Sequence, residues 1–245
     1  MTTNDTKAVL LVGGLGTRLR TVVPSAPKPL APVGERPFLE LLIQQLAGQG
    51  VRKLVLCTGY LADQIESEFG DGASLGVAIE YSKEPHPLGT GGAVKFAEEF
   101  LQGVPDFLVM NGDSFLELDL RHLIEAHRAH GGVATIAVVP VENAGRYGTV
   151  HVAGDRITEF LEKTGEEAPG LINAGVYVFS PAILEHIPAG QVSLEKEVFP
   201  KLLSQGVYAV EERGLFIDIG TPKDYAKAQE LSDRLRLATQ PAIGN

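Results

Sequence analysis

VLLVGGLGTRL, residues 9–19, is the stretch from which we interpret the rest of the chain. Branched apolar residues favour a buried strand, and the glycines that follow let a ligand approach the backbone closely. Bare backbone N–H groups flanked by Arg18 and Lys28 are typical of an anion cradle. The structural alternative is a plain turn between a strand and a helix, which the two cations make less favourable. The glycines of this loop are Gly13, Gly14 and Gly16.

Two better-known phosphate-binding motifs do not fit this loop. The G-x-G-x-x-G motif requires a glycine where the chain has Leu19, and no Gly-Lys-Ser/Thr sequence follows as a P-loop requires. The sequence therefore supports neither a dinucleotide-dependent dehydrogenase nor a P-loop NTPase. What remains is a loop whose Arg18 and Lys28 reach a polyphosphate.

Composition narrows the classes of partner. The 245 residues carry a formal net charge of −10, whereas binding to a nucleic-acid backbone needs a basic face. Cys57 is the only cysteine, which excludes an intramolecular disulfide and disfavours a thiolate metal site. No apolar run approaches the ~18 to 20 residues that span a bilayer, and no signal-peptide pattern is evident. We expect a cytoplasmic protein without a nucleic-acid or membrane partner.

The order of predicted elements indicates an α/β fold. Strands and helices alternate over residues 7–141, which predicts βαβ units and a mostly parallel sheet. Three strands separated by turns follow between residues 147 and 179, and they predict an antiparallel or mixed patch appended to that sheet. Residues 20–34 carry four prolines and are predicted to be an irregular loop. Residues 193–203 and 222–235 are each predicted to be helical, the latter as a closing helix, and His122, His127 and His130 are interpreted as solvated helix positions.

Two carboxylates follow predicted strands and are candidate metal ligands. In a parallel sheet, ligands bind beyond the carboxyl ends of the strands, where both the glycine loop and Asp113 would lie. A carboxylate facing an anion cradle needs a cation between them, and Mg²⁺ prefers carboxylate and phosphate oxygens. Asp218 supplies a second carboxylate if its strand returns beside the one that ends at Asp113. The alternatives are a turn Asp that caps local N–H groups and an ordinary helix-entry Asp.

Gly13–Leu19 followed by Pro27-Lys28-Pro29 resembles the signature of the sugar-1-phosphate nucleotidyltransferases. The amino-acid sequence of residues 18–40, 59–65 and 87–93 is similar to those of the D-glycero-α-D-manno-heptose 1-phosphate guanylyltransferases. The similarity continues in the same order through Asn111-Gly112-Asp113, Phe160-Leu161-Glu162-Lys163, Asn173-Ala174-Gly175-Val176-Tyr177 and Asp218-Ile219-Gly220-Thr221-Pro222.

The resemblance implies a Rossmann-like, three-layer α/β/α nucleotidyltransferase (GT-A-like) fold. Its sheet would be mixed and mostly parallel, with a small antiparallel sugar-binding lobe. Residues 1–245 would form a single domain, in which about 7–141 bind the nucleotide and about 142–235 bind the sugar phosphate.

The resemblance also implies transfer of GMP from GTP to a heptose 1-phosphate, with release of pyrophosphate, for a bacterial surface polysaccharide. Arg18, Lys28, Asp113 and Asp218 would be catalytic, and Asp113 and Asp218 would hold Mg²⁺. Positioning and charge neutralisation would supply nearly all of the catalysis, so that no protein nucleophile is required. The nucleotide would bind to Gly13, Gly14, Gly16, Thr17, Arg18, Lys28, Gly89, Thr90, Gly91, Gly92 and Asp113.

Further residues are carried over to the sugar phosphate. Lys163 would hold its phosphate, although a solvated lysine at a strand end is the interpretation without the resemblance. Arg146, Glu159, Glu162 and Glu195 are plausible sugar contacts or supporting residues, with surface or ion-pair roles as the alternative. The set expected to bind the sugar phosphate is Gly148, Glu162, Lys163, Asn173, Ala174 and Gly175.

Several alternatives stay open at this point. The acceptor could be mannose 1-phosphate, or the enzyme could be a uridylyl- or cytidylyltransferase acting on another sugar phosphate. A non-enzymatic alternative is a nucleotide-sugar-binding regulatory module that keeps the fold without catalysis, although the retained Arg18, Lys28 and Asp113 speak against it. The preference for guanine has no residue-type signature in the sequence, because backbone groups can bind the edge of the base. The sequence leaves the oligomeric state open, with a homodimer among the options.

Overall fold

A computed structural model describes residues 6–24, 26–161, 165 and 167–239. Within these residues the strands are β1 (Lys7–Leu11), β2 (Pro32–Val33), β3 (Arg36–Pro37), β4 (Lys53–Thr58), β5 (Ala78–Lys83), β6 (Phe107–Asn111), β7 (Ser114–Leu116), β8 (Ala134–Val141), β9 (Thr149–Ala153), β10 (Arg156–Leu161), β11 (Gly170–Phe179), β12 (Val207–Glu211) and β13 (Phe216–Asp218). The α-helices are α1 (Phe38–Gly48), α2 (Ala62–Phe69), α3 (Gly89–Phe96), α4 (Leu120–His130), α5 (Phe199–Leu202), α6 (Pro222–Glu230) and α7 (Ser232–Ala238).

The central sheet contains nine of these strands in the order β5-β4-β1-β6-β11-β8-β12-β10-β9. Strands β5, β4, β1 and β6 run parallel to one another, and β12 runs parallel to β8. Strand β11 lies antiparallel between β6 and β8, and β10 and β9 extend the sheet with antiparallel pairings. The prediction of a mixed, mostly parallel sheet with an appended antiparallel patch is confirmed.

Helices cover both faces of the sheet, because its strands alternate between two apolar cores. In β1, Ala8 and Leu10 enter one core and Val9 enters the other. Side chains of α1, α2, α4, α6 and α7 fill the first core, while α3, α5 and the segment between residues 181 and 202 fill the second. Burial on both faces is what makes these strands continuously apolar. The fold therefore has three α/β/α layers, as the resemblance implies.

Local chemistry explains where the helices begin. Asp119 caps α4, and its carboxylate accepts hydrogen bonds from the backbone N–H groups of Arg121 and His122. Thr221 caps α6 by accepting from the backbone N–H of Asp224, and Pro222 occupies the first turn. Ser193 and Glu197 cap the turn that follows residue 193 reciprocally, which is the arrangement of a capping box.

Three local predictions were wrong. Residues 20–34 are not wholly irregular, because Lys28–Leu30 form a 3₁₀ turn and β2 begins a short hairpin with β3. The closing helix is two helices that meet at Leu231. Residues 193–203 are helical as predicted, but as a π turn (Leu194–Val198) followed by α5 and a 3₁₀ turn (Leu203–Gln205). His127 is buried, and its Nδ1 lies 3.0 Å from the hydroxyl of Thr135. Periodicity alone cannot distinguish these helix types, and it does not show which polar residue on a helix finds a buried partner.

The chain has no helix in the residues described above that is both long and apolar enough to cross a membrane.

Candidate active site

Two cavities open at the carboxyl ends of the parallel strands and share Asn111. The first cavity has a volume of about 310 Å³ and lies between the glycine loop, the loop before α3, and the end of β6. The second has a volume of about 450 Å³ and lies between the end of β6, the antiparallel strands and the π turn. Their position agrees with the rule that ligands bind beyond the carboxyl ends of strands in an open α/β sheet.

The glycine loop brings Lys28 to the first cavity. Gly16 has a φ of +59°, and a Cβ atom at this position would lie 3.0 Å from the Cβ of Lys28. A larger residue would therefore be strained and would also displace the lysine. The sequence between them leaves the cavity and returns through the 3₁₀ turn that begins at Lys28. Lys28 and the glycine loop thus form one side of the cavity.

Lys28 is paired with the carboxylate that follows β6. Its Nζ lies 2.5 Å from Oδ2 of Asp113, and the lysine side chain is almost completely buried. Strands β1 and β6 are parallel neighbours with Leu11 opposite Asn111, so their carboxyl ends lie side by side. The predicted proximity of the glycine loop and Asp113 is confirmed by this register.

A small ribbon brings Asp218 to the same place. Strand β13 pairs antiparallel with β7, and Asp218 lies opposite Ser114 in this pairing. The Ser114 hydroxyl lies 3.3 Å from Oδ1 of Asp113 and 3.3 Å from Oδ2 of Asp218. Oδ1 of Asp218 accepts a hydrogen bond of 2.6 Å from the backbone N–H of Gly220. The sequence left open whether the second carboxylate returns beside the first, and the ribbon shows that it does.

The two carboxylates have the chemistry of a divalent-cation site. Burial, and then the negative charge of Asp113, raise the pKa of Asp218, while Lys28 opposes that rise. A cation between the carboxylates would relieve the repulsion, and carboxylate oxygens are ligands that Mg²⁺ prefers. Within residues 6–239, where described, no group of three or more His, Cys, Asp or Glu side chains is arranged to hold a metal. The donor set fits an ion that takes its remaining ligands from phosphate and water.

The structure brings some of the predicted nucleotide-binding residues to the first cavity and not others. Arg18 lies on an exposed turn outside the cavity wall. Gly16 and Thr17 lie in the same loop, and Gly91 and Gly92 lie in the first turn of α3, behind the wall. The predicted residues that line the first cavity are Gly13, Gly14, Lys28, Gly89, Thr90 and Asp113.

Only some of the residues predicted to bind the sugar phosphate line the second cavity. Gly148 and Asn173 line the second cavity, as does Asp218. Ala174 is buried, and Gly175 packs against the side chain of Asn111, which a Cβ atom at position 175 would contact at 2.5 Å. The assignments of Glu162 and Lys163 lie outside the described residues and stay predictions.

An ion pair fixes one wall of the second cavity. The guanidinium of Arg146 is bonded to the carboxylate of Asp224, which also accepts from the hydroxyl of Thr221. Burial raises the pKa of Asp224, but the bonds from Arg146 and Thr221 outweigh it and hold that pKa below its usual value. Arg146 also lies 5.0 Å above the ring of Tyr147, a cavity-lining residue. Asp224 of α6 therefore holds Arg146 against this wall, whereas Glu159 is exposed and lies near His151.

Sequence reasoning missed Glu84, a carboxylate in the wall of the first cavity. Its Oε2 accepts a hydrogen bond of 3.1 Å from the backbone N–H of Leu88. Burial raises the pKa of this carboxyl above its ordinary value, with the Leu88 bond and His86 opposing the rise. The signal was present in the sequence, because Glu84 follows β5, a parallel strand whose carboxyl end lies at the same edge as the glycine loop.

Asn111 has a further feature that its sequence position does not reveal. Its side-chain Oδ1 is buried and has no hydrogen-bond partner among the described atoms. A buried acceptor without a partner is costly, so this atom is available for a ligand hydroxyl or amino group. Because Asn111 lines both cavities, such a ligand group would lie where the cavities meet.

Comparison with known proteins shows a match over almost the whole chain. The profile of the nucleotidyl transferase family matches residues 7–234. A mannose-1-phosphate guanylyltransferase from Mycobacterium tuberculosis is 40% identical, over 99% of this chain and 68% of that protein. The catalytic subunit beta of a mannose-1-phosphate guanylyltransferase from Drosophila pseudoobscura pseudoobscura is 40% identical over 91% of this chain and 61% of that protein. The chain thus spans about two thirds of the length of these curated relatives.

A solved structure is similar over nearly its full length. HddC from Yersinia pseudotuberculosis, in complex with GMP-PN, superposes with a TM-score of 0.82 at 35% identity. The match covers 92% of this chain and 98% of that one.

Proposed function

The chain belongs to the nucleotidyl transferase family, and we propose that it transfers GMP from GTP to a sugar 1-phosphate, with D-glycero-α-D-manno-heptose 1-phosphate as the acceptor. The products would be a GDP-sugar for surface polysaccharide synthesis and pyrophosphate. We further propose that the protein acts in the cytoplasm and consider a homodimer as its assembly.

One observation carries the proposal: two cavities meet at a cluster formed by Lys28, Asp113 and Asp218. A reaction between two phosphorylated substrates needs two binding sites whose reactive ends face each other. It also needs cationic groups between them, because both substrates are anions. The geometry of the two cavities supplies the first requirement. Lys28, together with a metal ion that the carboxylate pair would hold, supplies the second.

In the proposed reaction, a phosphate oxygen of the sugar 1-phosphate attacks the α-phosphorus of GTP in line. A new bond forms between that oxygen and the α-phosphorus, and the bond from the α-phosphorus to the bridging oxygen of pyrophosphate breaks. Pyrophosphate leaves with the electron pair of that bond. Lys28 is proposed to neutralise charge on the α-phosphoryl group and the leaving group, with Arg18 reaching the outer phosphates from its turn.

Asp113 and Asp218 would hold Mg²⁺, which when bound supplies charge neutralisation to the nucleotide phosphates. Asp113 lines the first cavity and Asp218 the second, so their carboxylates lie on either side of the cavity junction. Ser114 orients both, and the backbone N–H of Gly220 fixes the Asp218 carboxylate.

Glu84 supports the choice of guanine. Guanine offers two neighbouring donors, N1–H and the 2-amino group, whereas adenine presents an acceptor at N1. A carboxylate accepts two such donors side by side and offers none when ionised. Glu84 is a carboxylate in the wall of the first cavity, close to the predicted base and ribose contacts Gly89 and Thr90. The similarity to a chain in complex with GMP-PN is consistent with this assignment.

Mannose 1-phosphate is the second candidate acceptor. The observation that favours it is the 40% identity to a protein named a mannose-1-phosphate guanylyltransferase. The structural similarity to HddC and the sequence resemblance to heptose 1-phosphate enzymes favour the heptose.

The test is a matrix of reactions followed by pyrophosphate release. Four NTPs are each combined with heptose, mannose and glucose 1-phosphates in the presence of Mg²⁺. We expect release with GTP and heptose 1-phosphate. Activity with mannose but not heptose 1-phosphate would replace the acceptor, activity with another NTP would replace the donor, and silence throughout would favour a binding module.

A further inference from the structure

Residues 191–196, which we call the bridging segment, contact both cavities. Gln191 lines the first cavity, whereas Ser193, Glu195 and Lys196 line the second. The end of β6 and the residues that follow it also reach both cavities, through Asn111, Asp113 and Ser114. The bridging segment is a second connection whose residues line the walls of both.

The backbone of the bridging segment is bound to the start of α3. The N–H of Val192 donates to the carbonyl of Leu88 at 2.8 Å, and the carbonyl of Val192 accepts from the N–H of Gly91 at 2.9 Å. Gly89 has a φ of +71°, and a Cβ atom there would lie 2.6 Å from the Val192 carbonyl oxygen. The close approach therefore depends on glycine at position 89.

Glu195 connects this segment to Thr90 through its carboxylate. Its Oε2 accepts from the hydroxyls of Thr90 and Ser193, each at 2.8 Å. The Thr90 oxygen also accepts from the backbone N–H of Leu194 at 2.9 Å. Because Thr90 lines the first cavity, a nucleotide that contacts it would bear directly on the Glu195 carboxylate.

The other oxygen of Glu195 leads to the second cavity. Oε1 accepts from the hydroxyl of Tyr177 at 3.2 Å, and that hydroxyl accepts from the side-chain amide of Asn173 at 2.9 Å. Tyr177 is fully buried, and burial together with the Glu195 charge raises its pKa, which keeps its proton available for the carboxylate. Asn173 in turn lines the second cavity and accepts from the backbone N–H of Gly175 at 2.9 Å.

We propose that Glu195 is a positioning residue that couples nucleotide binding in the first cavity to sugar-phosphate binding in the second, through Thr90 on one side and Tyr177 and Asn173 on the other. The inference rests on the proposed function, since it assigns a ligand to each cavity. A continuous, partly buried hydrogen-bond network transmits order because each member restrains the next. When the first ligand fixes Thr90 and Glu195, less conformational entropy is lost as the second ligand orders Asn173. The coupling is reciprocal, so either substrate raises the affinity for the other.

The experiment measures binding of mannose 1-phosphate and heptose 1-phosphate by calorimetry, with and without a GTP analogue carrying a methylene group between the α- and β-phosphates. Mg²⁺ is present throughout. We expect the analogue to raise the affinity of the acceptor about 10-fold in the wild-type protein. In Glu195→Gln, the amide oxygen can accept on only one side, and the NH₂ group cannot accept from Tyr177 when that oxygen faces Thr90. We expect the factor to fall to about 2-fold or less in this variant.

Glu197→Gln is the matched control. Glu197 lies in the same π turn and accepts from the backbone N–H of Ser193 at 2.9 Å, but it is exposed and lines neither cavity. It should keep the wild-type factor. Tyr177→Phe is the second variant, since it breaks the network on the Asn173 side while leaving the Thr90 bond in place. It should also lose the coupling while retaining nucleotide affinity.

Each possible result either supports or overturns the coupling through Glu195. Loss of coupling in Glu195→Gln and Tyr177→Phe, with coupling kept in Glu197→Gln, supports the inference. An unchanged factor in Glu195→Gln overturns it, as does an equal loss in Glu197→Gln, because the effect would then belong to the turn. If both ligands bind the wild-type protein independently, the coupling fails while the proposed function stands. If neither ligand binds, the proposed function fails and the coupling with it.

Discussion

The ammonium group of Lys28 lies 2.5 Å from the carboxylate of Asp113, so the lysine packed against the glycine loop is paired with the carboxylate that follows β6. The pair lies at the junction of the two cavities, with Asp218 beside it. Lys28 therefore balances part of the charge of two carboxylates in the free protein. If the carboxylates hold Mg²⁺ as proposed, the ammonium group of Lys28 would become available for substrate phosphate.

Lys28→Met should lower kcat about 100- to 1000-fold, because it removes a cation from the site of developing charge. The variant also leaves Asp113 and Asp218 without their neutralising partner, so Mg²⁺ should raise its Tm more than it raises the wild-type Tm. Steady-state kinetics and thermal unfolding with and without Mg²⁺ measure both effects. Lys7→Met is the control, since Lys7 is also partly buried and ion-paired, with Glu80, but lies at the opposite edge of the sheet. Wild-type turnover in Lys28→Met would contradict the assignment.

Asp113→Asn and Asp218→Asn should each lower kcat by about two orders of magnitude while changing the free energy of unfolding by less than about 1 kcal/mol. Removing one of two facing carboxylates relieves repulsion and leaves the other to balance the charge of Lys28, so the fold loses little. The opposite pattern is expected for Asp106→Asn. Asp106 is buried and accepts two bonds from Arg128, at 2.7 and 3.0 Å, away from both cavities. That control should lose about 1–3 kcal/mol of stability with kcat unchanged. Full Mg²⁺-dependent activity in Asp113→Asn would show that Asp113 is not a metal ligand.

Glu84→Gln should raise the KM for GTP about 10- to 100-fold. The amide replaces one of the two acceptor oxygens by an NH₂ donor, which faces a donor of guanine and cannot bond to it. The low kcat/KM for ATP should change little, since adenine offers no N1–H to a carboxylate. Glu80→Gln serves as the control, because Glu80 lies on β5, the strand that Glu84 follows, and pairs with Lys7 away from both cavities. Equal loss with GTP and ATP would show that Glu84 shapes the cavity without reading the base.

The pH dependence of GTP use provides a second test of Glu84. Burial raises the pKa of this carboxyl, so it becomes protonated at a higher pH than an ordinary glutamate as the solution is acidified. A protonated carboxyl accepts guanine donors less well. We therefore expect kcat/KM for GTP to fall on the acid side in the wild-type protein. Glu84→Gln should lose the part of this fall that Glu84 contributes, while the part due to Asp218, whose pKa is also raised, remains. Identical acid limbs in the two proteins would assign the titration to another group.

His127 should make the fold more sensitive to acid. Burial lowers the pKa of this imidazole below its ordinary value of 6.5, so the unfolded chain binds a proton more readily than the folded one. Stability is then fully present above about pH 6.5 and falls as the pH is lowered through that value. Urea unfolding between about pH 8 and 5 should show a smaller loss for His127→Gln than for the wild type. His86→Gln, at an exposed site, should behave like the wild type.

The parallel part of the fold and one half of the site could be predicted from sequence. Strand β1 ends in the glycine loop and β6 ends at Asn111, and parallel pairing places those ends together. Asp218 could not be placed in the same way, because β7 and β13 are three residues long and carry no periodic signal. The burial of His127 depends on Thr135 across the fold, and the break at Leu231 depends on how α7 packs against the first core. Such contacts between distant residues leave no pattern in a single sequence.

The central claim is attack on the α-phosphorus of GTP by a sugar 1-phosphate, and isotope transfer tests it most directly. GTP labelled at the α-phosphate, and separately at the γ-phosphate, is incubated with heptose 1-phosphate, Mg²⁺ and the protein. We predict that the α-label appears in the GDP-sugar and the γ-label in pyrophosphate, in equal amounts. Recovery of the γ-label in a sugar product, or of neither label outside GTP, would contradict the account.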